Sequence, residues 1–243
     1  MTELLDIIHE DAELLVVNKP PGLVCHPTKG DAYSSLISRV RLYLGAGAVA
    51  HLVNRLDRET SGVTLVAKTD SSAREVRRLW EARLVEKFYL ALVRGWVAAD
   101  HGCVEEPLGR DEASRVAIKD CVCPEGSPAR TEYWTEQRLE YPGVGHLSVL
   151  RVKPHTGRKH QIRIHLAHIG HPVVGDKIYG GDEDLYLALV ENRLTDSQRA
   201  RLITHNHALH AAELRFTFKT VEQFFVADSK SRLNSWLADM TKT

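Results

Sequence analysis

Apolar and polar positions divide the chain into short segments of differing period. Leu4 to Val17 mixes apolar with acidic residues and ends in Leu14-Leu15-Val16-Val17, which predicts a strand. Pro20-Pro21-Gly22 stops it. Gly62 to Lys68 is β-branched and apolar and predicts a second strand. Thr69 to Ser72 offers several N-caps, and Ser72 with Glu75 fits a capping box. Ala73, Val76, Trp80 and Leu84 then recur at helical spacing, predicting a helix to about Lys87. Phe88 to Val97 reads as another buried strand.

The second half is less regular. Residues 98–128 are polar and loop-rich, and strands are predicted near Ala129–Leu139 and His146–Lys153. His160 to Ile169 predicts a helix with Ile162, Leu166 and Ile169 on one face. Gly170 then stands where a left-handed cap belongs, and Pro172 blocks continuation. Asp184 to Leu202 reads as one amphipathic helix, and Leu214 to Phe218 as a late strand. Strands and helices interleave without a βαβ rhythm, so the expected class is α+β. A chain of 243 residues can bury its core as one domain, residues 1–243, in two lobes sharing a cleft.

Composition narrows the classes of function. No apolar run is long enough to span a bilayer. Met1-Thr2-Glu3-Leu4 opens without a secretory pattern, so a cytoplasmic protein is expected, without membrane attachment and acting as a monomer. Cys25, Cys103, Cys121 and Cys123 form no Cys-x-x-Cys pair and read as reduced thiols. Net charge is zero, from 32 basic and 32 acidic residues. The distribution is uneven. Arg151 to His168 carries five Lys or Arg, four His and no acid, whereas Asp100 to Glu140 has ten acids against five basic residues. A neutral sum therefore hides a basic stretch able to meet phosphates.

Three segments could carry chemistry. In Asn54 to Gly62, Asp57 stands between Arg55 and Arg58 at the entrance to a strand. Positive neighbours keep such a carboxylate ionised, and a poorly solvated one is a competent nucleophile. On this segment alone, a solvated turn with local ion pairs is the plainer reading. In Lys87-Phe88-Tyr89-Leu90-Ala91, Tyr89 is either a core aromatic or a ring that stacks on a base. In Thr156 to His165, the basic residues Arg158, Lys159 and His160 crowd a helix start that favours anions, unless they are simply solvated. Arg163 adjoins the apolar stripe and, if turned inward, needs an acidic partner. His160, His165 and His168 invite a metal. No Asp or Glu lies between Tyr141 and Gly175, however, and no metal site is expected.

Together these segments resemble the RluA family of RNA pseudouridine synthases, from about Leu14 to Phe218. The resemblance runs through Asn18 to Leu23, Arg55-Leu56-Asp57 with Thr60-Ser61-Gly62, Lys87 to Ala91, Ala129 to Tyr133, Thr156 to His165, Gly170-His171-Pro172, Gly175-Asp176 and Leu209-His210-Ala211. It implies a mixed, largely antiparallel central sheet with flanking helices and a basic cleft. It implies that Asp57 is the catalytic carboxylate, that Arg163 pairs with it and that Tyr89 stacks on the target base. Arg55 would fill the space left by the extruded nucleotide, and Ile162 would line the uracil pocket. The partner is then a ribosomal or transfer RNA, with no cofactor and no metal. This chain has Asn54 where relatives usually carry His; Asn hydrogen-bonds, but not as a cation. Because the motifs begin early, the S4-type RNA-binding domain of some relatives is expected to be absent. No motif is assigned to 181–206. The rival readings are an RNA-binding module without catalysis and a glycosidase-type hydrolase, which usually needs two carboxylates.

Overall fold

The structure is a computed structural model and describes residues 4–27 and 34–240. In chain order the elements are β1 (Ile7–Glu10), β2 (Leu14–Lys19), α1 (Leu36–Leu44), β3 (His51–Leu52), β4 (Ser61–Ala67), α2 (Asp70–Glu81), β5 (Glu86–Arg94), β6 (His101–Val104), β7 (Leu108–Arg110), β8 (Asp120–Val122), β9 (Thr131–Tyr141), β10 (Gly145–Pro154), α3 (Gln161–His168), α4 (Glu183–Val190), α5 (Asp196–Leu202), β11 (Leu209–Phe218), β12 (Val221–Val226) and α6 (Ser229–Met240). Among the described residues no helix is long and apolar enough to cross a membrane. The chain divides into two compact units, Met1–Phe88 with His210–Asp228 and Tyr89–Leu209 with Ser229–Thr243.

In the first unit the strand order is β1-β2-β4-β11, with β3 on β4 and β12 on β11. The β4–β11 pair is parallel; the other pairs are antiparallel. The run Leu14 to Val17 is apolar throughout because both faces of β2 are covered. Leu14 and Val16 join Leu65, Val76 of α2 and Phe216. Leu15 and Val17 join Leu36 and Val40 of α1 on the other side. Gly62 lies in β4 at φ 112°, and a Cβ there would stand 2.1 Å from the Ala211 carbonyl oxygen. Glycine is what lets these two parallel strands approach.

The second unit carries the antiparallel order β5-β10-β9-β6 and a separate β7–β8 pair. Its main core joins Leu92, Leu150, Leu166, Val174 and, from α6, Trp236 and Met240. Helix α3 is buried nearly all round, not on one stripe. Ile162 and Leu166 face this core, while Ile164 enters a second cluster with Leu108, Ile178 and Tyr179. The α+β class and the mixed, mostly antiparallel strand pairing agree with the expectation.

Several boundaries differ from it, each for a local reason. The single strand expected over Leu4–Val17 is a β1–β2 hairpin, turned by the Asp11 carboxylate, which accepts from the Glu13 and Leu14 N–H groups at 2.7 Å. Helix α2 is capped by Thr69, whose side chain bonds Ser72, so the box is Thr69–Ser72 and not Ser72–Glu75. It stops at Glu81, because Arg83 turns left-handed at φ 59° and Leu84 N–H reaches back to the Leu79 carbonyl. That is a Schellman ending with arginine where glycine is usual. The helix expected over Asp184–Leu202 is two helices. Asn192 at φ 54° ends α4 in the same way, and Thr195 with Gln198 caps α5. The stretch 98–128 contains β6, β7 and β8.

Candidate active site

Asp57 sits on the loop that feeds β4, and the loop is tied down on both sides of it. Before it, Val53 N–H bonds the Leu65 carbonyl at 2.9 Å. The Asn54 amide continues that ladder, donating to the Val63 carbonyl and accepting from Leu65 N–H at 2.7 Å. Asn54 thus shapes the loop through a neutral amide. Leu56 is buried, and its N–H and carbonyl both meet the Cys25 sulfur at 3.4 Å. Burial pushes the Cys25 thiol up, so it stays protonated and can donate to that carbonyl. After Asp57, the Arg58 carbonyl accepts from Gly22 N–H at 2.9 Å and from the Lys19 ammonium at 3.0 Å.

Lys19 is the unexpected part of this arrangement. It is fully buried, and its ammonium also donates to the Pro20 and Leu23 carbonyls at 2.9 and 2.7 Å. One cation therefore gathers the 20–23 turn and the Asp57 loop, which satisfies hydrogens that burial would otherwise strand. The signal was a lysine closing a strand whose first four residues are apolar. Asp57 itself is half-buried, while Arg55 and Arg58 are exposed. Behind the loop, Ser61 Oγ and His210 Nδ1 lie 2.8 Å apart in the core.

The second unit holds Arg163. Its side chain is buried in α3 and forks onto Asp176, Nε to Oδ2 at 2.6 Å and Nη2 to Oδ1 at 2.8 Å. Oδ1 also accepts from the Ile178 and Tyr179 N–H groups. The guanidinium carbon lies 5.0 Å from the centre of the Tyr179 ring. Burial alone would raise the Asp176 carboxyl, but the Arg163 charge and these hydrogen bonds hold it well below the usual carboxylate range. Asp176 takes two of the five guanidinium donors, which leaves three for other acceptors. In the sequence Asp176 stands out only as part of Gly175-Asp176, which by itself implies no role. As a partner of Arg163 it stands 13 residues away, beyond the reach of helical spacing.

The neighbouring basic residues all have partners within the protein. Arg158 Nε donates to the Pro128 carbonyl, Lys159 pairs with Asp120 at 2.9 Å, and His160 Nδ1 meets the Tyr179 hydroxyl at 2.9 Å. Arg158 and Lys159 remain exposed. Tyr89 is half-buried on β5 opposite Val152, packed against the core that Ile162 joins.

The histidines of α3 do not gather. Among the described residues no group of three or more His, Cys, Asp or Glu side chains could hold a metal ion. His165 is fully buried, with Nδ1 2.8 Å from Thr131 Oγ1 and Nε2 2.9 Å from the Glu106 carbonyl. The carbonyl can only accept, so Nε2 carries the proton. Thr131 Oγ1 already accepts from Gln161 Nε2 at 2.9 Å, so its own proton points to His165 Nδ1. A second ring proton would break that chain. Burial accordingly pushes His165 below the ordinary histidine range, more than its bond to Glu106 raises it. A depressed histidine contributes stability that is present above its unfolded value, about pH 6.5, and lost as pH falls below it. Urea midpoints should therefore drop between pH 7.5 and 5.5 in the wild type and drop less in His165→Gln. Equal slopes would remove His165 from the acid response.

The RNA pseudouridylate synthase family model matches residues 13–168, a span that contains Lys19, Asp57, Tyr89 and Arg163. An uncharacterized RNA pseudouridine synthase of Aquifex aeolicus is 42% identical over 182 residues, covering 72% of this chain and 56% of that protein. Ribosomal large subunit pseudouridine synthase C of Yersinia pestis is 36% identical over 212 residues, covering 86% of this chain and 60% of that one. The chain spans about half the length of the curated relatives it matches. The solved human RNA Pseudouridylate Synthase Domain Containing 1 superposes with a TM-score of 0.73 at 25% identity, over 98% of this chain and 97% of that one. Family model, relatives and fold agree on one assignment: this chain belongs to the RNA pseudouridylate synthase family.

Proposed function

We propose that the protein isomerises selected uridines of structured RNA to pseudouridine, with Asp57 as the nucleophile. The observation that carries the reading is the anchoring of Leu56 and Arg58 on either side of Asp57, which fixes a half-buried carboxylate within the family's matched segment. In the reaction the N1–C1′ bond breaks, the base turns, and C5 bonds to C1′. C5 loses its proton and N1 gains one, so nothing is added or removed overall. A rigid carboxylate serves this outcome by attack on C1′, by addition to the ring or by taking a sugar proton.

The other assignments follow the family resemblance. The target uridine must leave its stack, at a cost of a few kcal/mol. Arg55 fills the vacated space, its planar cation suited to stacking and phosphate contact. Tyr89 stacks on the uracil, Ile162 lines its pocket, and Arg163 serves the catalytic carboxylate as its cation. Arg158, Lys159 and His160 lie toward the RNA backbone. Ribosomal RNA is the first substrate to try, because relatives are named for the large ribosomal subunit; transfer RNA is the second. Either substrate suits a cytoplasmic monomer whose single catalytic domain spans the chain.

RNA labelled with tritium at C5 of uridine tests the reading. Isomerisation releases tritium and leaves the base attached. Free uracil would point to a hydrolase, and RNA bound without release would point to a module without catalysis; either overturns the proposal. Tyr89→Phe should keep RNA affinity and lower turnover at least tenfold, since it retains the stacking face and loses only the hydroxyl. Equal turnover would confine Tyr89 to stacking or core packing.

A further inference from the structure

Strand β5 ends at Arg94, on the wall of a cavity of about 550 Å³ in the second unit. Val173, Leu185, Ile203 and Met240 give the cavity apolar walls, and Arg201 and Asp182 stand on it with Arg94. Residues 181–206, to which no motif was assigned, supply much of this lining.

The charges around Arg94 do not balance. Its Nη2 donates to the Arg201 carbonyl at 2.6 Å, and among the described residues no carboxylate pairs with it. Asp182 is engaged by Arg201 at 2.8 Å. Asp176, in the same wall, is committed to Arg163 through both oxygens. Burial pushes Arg94 down, and the Arg201 charge pushes it further. A half-buried guanidinium beside a second cation, with the nearby carboxylates bonded to other arginines, is costly until a further anion arrives.

We propose that this cavity binds the phosphate group of a nucleotide unit, with Arg94 and Arg201 holding its oxygens. Guanidinium groups match phosphate geometry through parallel N–H donors. The volume lies in the range of small-molecule sites and exceeds what a phosphate alone fills. The apolar wall then takes the sugar or base. The phosphate comes either from the RNA backbone or from a free nucleotide. Only the choice of a nucleotide rests on the RNA reading; the demand for an anion does not.

Inorganic phosphate and uridine 5′-monophosphate are titrated into the full chain, read by thermal unfolding and by phosphorus NMR line width. Saturable binding is expected for both, tighter for the nucleotide. Arg94→Gln should weaken it at least tenfold, and Gln can still donate to the Arg201 carbonyl. Arg201→Gln, at a position 57% exposed, should weaken it at least threefold and carries the test if Arg94→Gln fails to fold. RNA affinity against salt separates the two sources. A slope reduced by about one in Arg94→Gln assigns the site to a backbone phosphate, and an unchanged slope with lost phosphate binding assigns it to a free nucleotide. No saturable binding of either probe, or equal affinity in the wild type and both variants, overturns the proposal. Tritium release at saturating RNA is measured in parallel. If it is absent while phosphate still binds, the isomerase reading fails and this one stands.

Discussion

Asp57→Asn should lower the single-turnover rate of pseudouridine formation by roughly 10³-fold or more, the scale of removing a nucleophile. The melting temperature and RNA affinity should change little. The amide has the shape of the carboxylate but cannot attack a sugar or ring carbon. Asparagine should keep the pose of the loop, because the anchors on either side use other groups: Lys19 on the Arg58 carbonyl, the Cys25 sulfur on the Leu56 backbone and the Asn54 amide on Leu65. A rate within tenfold of wild type would remove Asp57 from its role. If tritium is still released while thermal stability falls, the carboxylate serves the fold and not the chemistry.

The second large effect concerns stability. Arg163→Met should cost about 3–5 kcal/mol, because it strands the Asp176 carboxylate in the interior. Asp176→Asn should also destabilise, because it removes the carboxylate charge that offsets the buried guanidinium. Asparagine is chosen because its Oδ1 can still accept from the Ile178 and Tyr179 N–H groups. The double variant Arg163→Met with Asp176→Asn should recover much of the loss, since neither charge is then left buried without the other. Urea unfolding of the four proteins decides it. A double variant no more stable than the weaker single would show that the pair is not an energetic unit. Acid adds a second check. The Asp176 carboxyl is depressed in the folded state, so its contribution is present above the unfolded value, near pH 4, and lost as pH falls below it. The double variant should lack that part of the acid transition.

These predictions rest on two kinds of information. The sequence alone determined the family, the strands β4, β5, β9 and β10, and helix α3 with its left-handed Gly170. Those signals are local: β-branched runs, helical spacing, a glycine where φ is positive, and an ordered series of short motifs. It raised Asp57 as a candidate, a carboxylate between two arginines at a strand entrance, but the segment alone reads more plainly as a solvated turn, and only the family resemblance gives Asp57 a catalytic role. The ends of α2 and α4 were not legible, because Arg83 and Asn192 take the left-handed position that usually announces itself by glycine. Tertiary structure alone decided that α3 is buried nearly all round, that Lys19 lies fully inside and that Arg163 forks onto Asp176. Each of these depends at least in part on groups distant in sequence meeting in space, as the Arg58 carbonyl meets Lys19. A charged side chain reads as solvent-facing until the fold supplies the three carbonyls that satisfy Lys19, or the carboxylate and ring that hold Arg163.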